Sequence, residues 1–155
     1  MRIHLKKLLK CIAIPLLVGG LSALLTMSSM EHFETLNQPP LSPPGWLFPV
    51  VWSVLFILMG IASYLVIVNG KSDDKKIALT VYGIQLAFNF FWSLIFFNLE
   101  AYLFAFIWLT VLWVLIIINT VLFYRISKPA GILLLPYLLW VTFAGYLNLA
   151  IYFLN

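Results

Sequence analysis

Five stretches of the chain are long enough to cross a membrane as helices and contain no Asp, Glu, Lys, Arg or His. They cover residues 11–30, 46–68, 77–98, 101–124 and 130–154. A helix needs about 20 mostly apolar residues to span a bilayer, so each stretch meets that requirement. Little of the 155-residue chain is left for a soluble domain. We therefore predict an all-α membrane protein, with residues 1–155 forming a single five-transmembrane-helix bundle.

The composition supports this class and excludes others. The chain is 64% hydrophobic and 9% charged, whereas soluble domains are about 45–50% apolar and 25% charged. These values exclude soluble enzymes and disordered tails, and a single cysteine, Cys11, excludes a disulfide scaffold. The net charge is +4, but the Lys and Arg residues are dispersed among short loops. We therefore expect the lipid bilayer, and not nucleic acid, as the partner of this surface.

The positive charges predict the orientation of the bundle. All nine Lys and Arg residues lie in three segments, 1–10, 69–76 and 125–129. If the five helices alternate in direction, these segments share one side of the membrane. The opposite side then carries acidic residues and no Lys or Arg, which predicts a cytoplasmic N-terminus and an external C-terminus. The alternative, a cleaved signal peptide, is disfavoured because the first apolar run continues to residue 30 without an A-x-A site.

The apolar stretches lack the groups that catalysis and ion coupling require. Proton pumps and ion-coupled transporters usually carry ionisable residues at membrane depth, and none is present there. No Ser-His-Asp or Cys-His set can be assembled, so we assign no catalytic residue. The candidate metal ligands that cluster, Glu31, His32 and Glu34, lie in a loop. We expect no metal site and no obligatory cofactor.

Amide and aromatic side chains mark one face of the third and fifth helices. They recur at intervals of three and four residues, with Gln85, Asn89 and Trp92 on the third helix and Trp140, Ala144 and Asn148 on the fifth. An amide in hydrocarbon is costly unless it is hydrogen-bonded, so these faces point into the bundle. Two interpretations remain open from the spacing. The amides either hydrogen-bond to one another and join the helices, or they line a ligand pocket.

The estimated depths of these residues favour a pocket. Helical rise places Trp52 about 9 Å below the outward end of the second helix, with Asn148 at a similar depth in the fifth. Trp92 and Ala144 also fall in the outward half of the membrane. Rings and amides from three helices therefore converge beneath the loop of residues 31–45. We predict an apolar cavity with few polar anchors and that loop as its lid.

Several motifs resemble those of one family. They are residues 39–45 followed by Trp52, then 63–66, 85–89, 96–97, 135–140, 143–144 and 147–148. In this order and spacing the chain resembles the translocator protein family, also called TspO/MBR, tryptophan-rich sensory protein or peripheral-type benzodiazepine receptor. The resemblance covers nearly the whole chain. It implies a five-helix bundle, often a homodimer, that binds porphyrin, haem and other flat hydrophobic ligands in a pocket closed by the first loop.

The resemblance also assigns site residues. By motif position, the implied ligand contacts are Trp52, Gln85, Asn89, Trp140 and Ala144, and Phe33 stands where the family has an aromatic residue, often Tyr. Some bacterial members break down porphyrin in light, with tryptophans that correspond to Trp52 and Trp140. Indole rings stack on a macrocycle and donate electrons, which makes these two residues the candidates for such photochemistry.

Two departures from the family pattern limit what is carried over. Leu41 stands where many members have a Trp, and the chain ends without the Lys or Arg that the cholesterol-recognition pattern of animal members requires. We therefore do not assign cholesterol binding. Three functions remain: a tetrapyrrole-binding protein with a sensory role, which we favour, a light-dependent porphyrin-degrading protein, and a carrier for hydrophobic small molecules.

Overall fold

The computed structural model describes residues 3–155, and all regular structure within that range is helical. The elements are α1 (Leu5–Thr26), a 3-10 turn (Met27–Ser29), α2 (Met30–Thr35), α3 (Leu47–Asn69), α4 (Ser72–Ser93), a π-helical turn (Leu94–Asn98), α5 (Tyr102–Ile126), α6 (Lys128–Leu133) and α7 (Leu135–Leu154). Five segments of the described chain are long and apolar enough to cross a membrane. The prediction of an all-α, five-span membrane protein is confirmed.

Two helices begin earlier than the sequence predicts. The first starts at Leu5 instead of residue 11, and α4 starts at Ser72 instead of residue 77. The intervening residues are charged, which keeps them out of hydrocarbon but does not stop them from being helical, because Lys has a good helix propensity. The predicted boundaries therefore mark the edge of the membrane and not the start of the helix. Arg2, one of the predicted cytoplasmic cations, lies outside the described residues.

The fifth span is divided at Leu134 into α6 and α7. Pro136 lies in the first turn of α7 and has no N–H to donate across the break. Before the break, α6 packs closely on the end of α5. A Cβ atom added to Gly131 would lie 2.4 Å from the Cβ of Tyr124, so a larger residue would push the two helices apart. Glycine and proline together set the bend of this span.

The helices pack tightly at one end of the bundle and separate at the other. The backbones of α1 and α3 meet at Gly60, where an added Cβ would lie 2.5 Å from the Cα of Ile12. At the same end α3 packs on α6, whereas the backbones of α3 and α7 come close at few positions. We call the separated end, which carries residues 27–46 and Asn155, the lid end, and the opposite end the basic end. The separation of the helices leaves a cavity in the lid half.

Candidate ligand-binding cavity

A cavity of about 500 Å³ lies in the lid half of the bundle, between α1, α3, α4 and α7. Seven of the eight residues that the sequence predicts as ligand contacts line it, namely Phe33, Trp52, Asn89, Trp92, Trp140, Ala144 and Asn148. The eighth, Gln85, is fully buried and does not line it. The structure therefore brings together residues from α2, α3, α4 and α7 around one space.

Gln85 lies behind the cavity wall, in a hydrogen-bonded chain that joins α4 to α7. The hydroxyl of Tyr137 donates to Oε1 of Gln85 at 2.6 Å and accepts from Nδ2 of Asn89 at 2.9 Å. Nε2 of Gln85 points to the sulfur of Met59 at 3.8 Å. In this geometry Gln85 joins helices, whereas Asn89 both joins helices and faces the cavity.

A second hydrogen-bonded chain braces the cavity wall nearer the lid end. Nε1 of Trp92 donates to Oδ1 of Asn148 at 3.1 Å, and Nδ2 of Asn148 donates to the carbonyl of Tyr102 at 2.8 Å. The Trp92 ring stacks on Phe96, with centroids 5.3 Å apart. Because these polar groups bond to one another, Trp92 and Asn148 hold three helices, α4, α5 and α7, in place and present mainly their apolar surface.

Three polar groups on the rings and amides of the cavity are left free by the described residues. The indole N–H groups of Trp52 and Trp140 find no acceptor there, and Oδ1 of Asn89 finds no donor. None of these three atoms is fully buried. The Trp52 ring stacks on Phe56 at 5.5 Å and Trp140 meets Phe48 edge-on at 6.0 Å. The cavity therefore offers two donors and one acceptor on rings and amides that packing holds in place.

The cavity is electrically neutral. None of the described residues that line it carries a charged side chain, and the described chain holds no group of three or more His, Cys, Asp or Glu suited to a metal ion. A neutral apolar interior favours a hydrophobic ligand, because a charge moved into it would lose its hydration without gaining a counter-charge. Any ionised substituent of a ligand has to remain at the open side of the cavity.

The sequence marks some parts of the wall and not others. Phe96 continues the spacing of Asn89 and Trp92, and residues 96–97 form one of the motifs. Both phenylalanines line the cavity from the π-helical turn, Leu94–Asn98, that ends α4. The spacing of Phe48, Trp52 and Phe56, four residues apart, is a signal that could have been read. The α1 wall, by contrast, consists of small and aliphatic residues with the hydroxyls of Ser22 and Thr26, and it has no aromatic or amide side chain to mark it.

The loop of residues 27–46 closes the lid end through aromatic and polar contacts. The Phe33 ring packs 5.2 Å from Phe97. Asn37 and Asn155 exchange hydrogen bonds, with the Asn37 N–H donating to Oδ1 of Asn155 at 3.1 Å. The hydroxyl of Tyr146 donates to the carbonyl of Pro40 at 2.8 Å. These bonds hold the loop against the end of α7.

A further contact ties the loop to the turn between α4 and α5. Nε2 of His32 lies 3.1 Å from Oε1 of Glu100, with both side chains about half exposed. Next to it, the hydroxyl of Ser29 donates to Oδ1 of Asn98 at 2.6 Å. Exposed ion pairs contribute little to stability, so on this side the loop is held mainly by the Ser29 hydrogen bond and the packing of Phe33 on Phe97.

The cavity opens sideways between α1 and α3. Gly20, Ala23 and Leu24 on α1, and Pro49 and Ser53 on α3, line the cavity and are also exposed at the surface of the bundle. Both helices are membrane spans, so this surface faces lipid. A hydrophobic molecule dissolved in the bilayer therefore has a direct path to the cavity that does not cross the lid.

The comparisons with known proteins agree with this architecture. The TspO/MBR family model matches residues 11–154. The tryptophan-rich protein TspO of Chlorobaculum tepidum is 40% identical over 147 residues, which cover 94% of this chain and 93% of that protein. The tryptophan-rich sensory protein of Cereibacter sphaeroides is 35% identical over 118 residues, 76% of this chain and 73% of that one. The translocator protein of Bos taurus is 33% identical over 138 residues, covering 87% and 82%.

Proposed function

The chain belongs to the TspO/MBR family, and on that premise we propose that it binds porphyrin-type tetrapyrroles in the lid-half cavity and reports their presence. The family membership confirms the resemblance found in the sequence. It establishes an integral, multi-pass membrane protein. The ligand and the sensory role are our proposal, and the name of the Cereibacter sphaeroides relative, a sensory protein, supports the latter.

The observation that carries the proposal is the pair of tryptophans on the cavity wall. Trp52 on α3 and Trp140 on α7 both line the same space of about 500 Å³, which lies within the range of about 300–1,000 Å³ typical of small-molecule sites. A flat macrocycle stacks favourably on indole rings, and the free N–H groups suit polar substituents at its rim. The neutral wall and the sideways opening suit a ligand that partitions into the membrane.

The test is to fill the cavity. Ala144 is 7% exposed and lines it, so Ala144→Phe places a ring where the macrocycle would lie. We expect protoporphyrin IX to bind at least about tenfold more weakly, the equivalent of about 1.4 kcal/mol, when quenching of tryptophan fluorescence is titrated in detergent. Ala87→Phe is the matched control, because Ala87 on α4 is exposed and does not line the cavity. Equal affinity of the Ala144→Phe variant and the parent would refute the proposed site.

The same pair of tryptophans supports a second candidate function, light-dependent breakdown of the bound porphyrin. Phe still stacks on a macrocycle but is a far poorer electron donor than indole. Trp52→Phe and Trp140→Phe should therefore retain most porphyrin binding and slow the light-driven loss of the Soret band, and the double variant should slow it most. Loss at the same rate in the parent, the variants and a protein-free control at equal light dose would leave binding as the function.

A further inference from the structure

Another cavity, of about 560 Å³, lies between α3 and α7 on the outside of the bundle. We call it the α3–α7 groove. Val, Leu, Pro, Phe and Trp side chains form its wall, among them Val50, Val54, Leu58, Leu139 and Phe143. Val54 and Leu139 are 51% and 71% exposed. Because α3 and α7 are both membrane spans, the groove is open to lipid.

The groove and the ligand cavity share a wall. Trp140 lines both of them. Its ring contacts Phe48 of the cavity at 6.0 Å and Phe143 of the groove at 5.6 Å. Since the backbones of α3 and α7 come close at few positions, the Trp140 ring is held on the groove side by side chains such as Phe143 and is otherwise open to the groove. Whatever fills the groove therefore supports the ring that faces the ligand.

We propose that the α3–α7 groove binds one acyl chain of a membrane phospholipid, and that this chain supports Trp140 as part of the wall of the ligand cavity. The length of the groove fits this occupant. From Val50 to Leu58 it follows α3 for about 12 Å, and one leaflet of hydrocarbon is about 15 Å deep. Val50 lies near the lid end of α3, so the chain enters from the leaflet at that end.

The width and chemistry of the groove argue against other occupants. A volume of 560 Å³ spread over about 12 Å gives a cross-section of about 47 Å², whereas a helix with side chains is about 10–12 Å across and needs about 80 Å² or more. A helix of a second copy is therefore too wide to enter the groove and could fill it only with side chains. A porphyrin would find one indole ring to stack on in the groove, Trp140, whereas the ligand cavity offers Trp52, Trp92 and Trp140. An acyl chain has no polar group to satisfy.

The first experiment counts bound lipid. The full chain, purified in detergent with dioleoyl phosphatidylcholine, is examined by native mass spectrometry as the parent, as Val54→Trp and as Leu139→Trp. Both substitutions fill the groove from exposed positions, one from each helix. Val114→Trp is the matched control, because Val114 is 46% exposed on α5 and lines neither cavity. We expect one phospholipid on the parent and the control, and none on either groove variant.

Three outcomes of this experiment overturn the groove site. They are the absence of retained lipid on the parent, equal retention by all four proteins, and loss of a dimer instead of a lipid in the groove variants. The last of these would assign the groove to a second copy of the chain. Unfolding of one groove variant does not affect the decision, since the other fills the same space from the opposite helix.

The second experiment tests the support of Trp140 and rests on the proposed porphyrin binding. Protoporphyrin IX is titrated into delipidated protein with and without dioleoyl phosphatidylcholine. Coupling between two sites is typically fivefold or more, so we expect the lipid to tighten binding by about fivefold in the parent and not in Val54→Trp. Glycerophosphocholine, the headgroup without chains, should have no effect. Retained lipid with no change in porphyrin affinity overturns the coupling between the groove and the cavity. No porphyrin binding at all overturns the proposed function. In that case the lipid count of the first experiment still decides whether the groove binds a phospholipid.

Discussion

Replacement of Tyr137 by Phe tests whether the hydrogen-bonded chain behind the cavity holds the bundle together. The Tyr137 hydroxyl is fully buried and bonds to Gln85 at 2.6 Å and to Asn89 at 2.9 Å. Tyr137→Phe removes both bonds and leaves two amide groups short of a partner in a low-dielectric interior. Each bond is worth about 0.5–1.5 kcal/mol, so the free energy of unfolding should fall by about 1–3 kcal/mol.

The matched comparison is Tyr82→Phe. Tyr82 is also buried, but its hydroxyl finds no hydrogen-bond partner within residues 3–155. Removing an unpaired hydroxyl relieves a desolvation cost, so Tyr82→Phe should leave stability unchanged or raise it.

Thermal unfolding in detergent, followed by tryptophan fluorescence, distinguishes the two tyrosines. At about 2–4 °C per kcal/mol for a chain of this length, Tyr137→Phe should lower the Tm by about 2–12 °C. Tyr82→Phe should not lower it. If both variants lower the Tm equally, the hydrogen bonds of Tyr137 do not stabilise the bundle and the loss belongs to ring packing alone.

Two further predictions concern entry of the ligand and orientation. Gly20 and Gly83 each leave open space for an added Cβ, but only Gly20 lines the sideways opening. Gly20→Leu should slow porphyrin binding and release in stopped-flow experiments, and Gly83→Leu should not. Unchanged rates in Gly20→Leu would direct the ligand through the lid. A topology reporter after Asn155 should read as external and one within residues 70–75 as cytoplasmic. The reason is that all nine Lys and Arg lie in three segments that alternating helices place on one side of the membrane. The reverse reading at both positions would contradict the orientation.

The sequence predicts the number of spans because the bilayer imposes a simple requirement. A run of about 20 residues without charge is sufficient for a spanning helix, and the five such runs are separated by charged or turn residues. The same information cannot predict the break at Leu134 or the π-helical turn at Leu94–Asn98. Both features depend on how a helix end packs on its neighbours, as at Gly131 against Tyr124.

The candidate site is partly predictable for a related reason. A face of amides and aromatic rings must turn away from lipid, which directs Asn89 and Asn148 inward. The spacing cannot separate Asn89 from Gln85, since the two share a face and differ by about 6 Å in depth. The Tyr137 hydroxyl, from α7, bonds to both amides, and of the two only Asn89 lines the cavity. Which residue faces the cavity is therefore a tertiary property.

The two hydrogen-bonded chains explain how an apolar cavity of this size is maintained. Apolar walls gain van der Waals contact by collapsing, and α3 and α7 have little direct contact to keep them in register. Asn89 and Tyr137 fix α4 to α7 at one depth, and Trp92 and Asn148 fix the same helices nearer the lid end. Since α4 and α7 are braced at both places, the walls that neither chain braces are α1 and α3, which pack on each other. Ligand-induced change should therefore appear as movement of α1 and α3 together relative to α4 and α7, with both hydrogen-bonded chains intact.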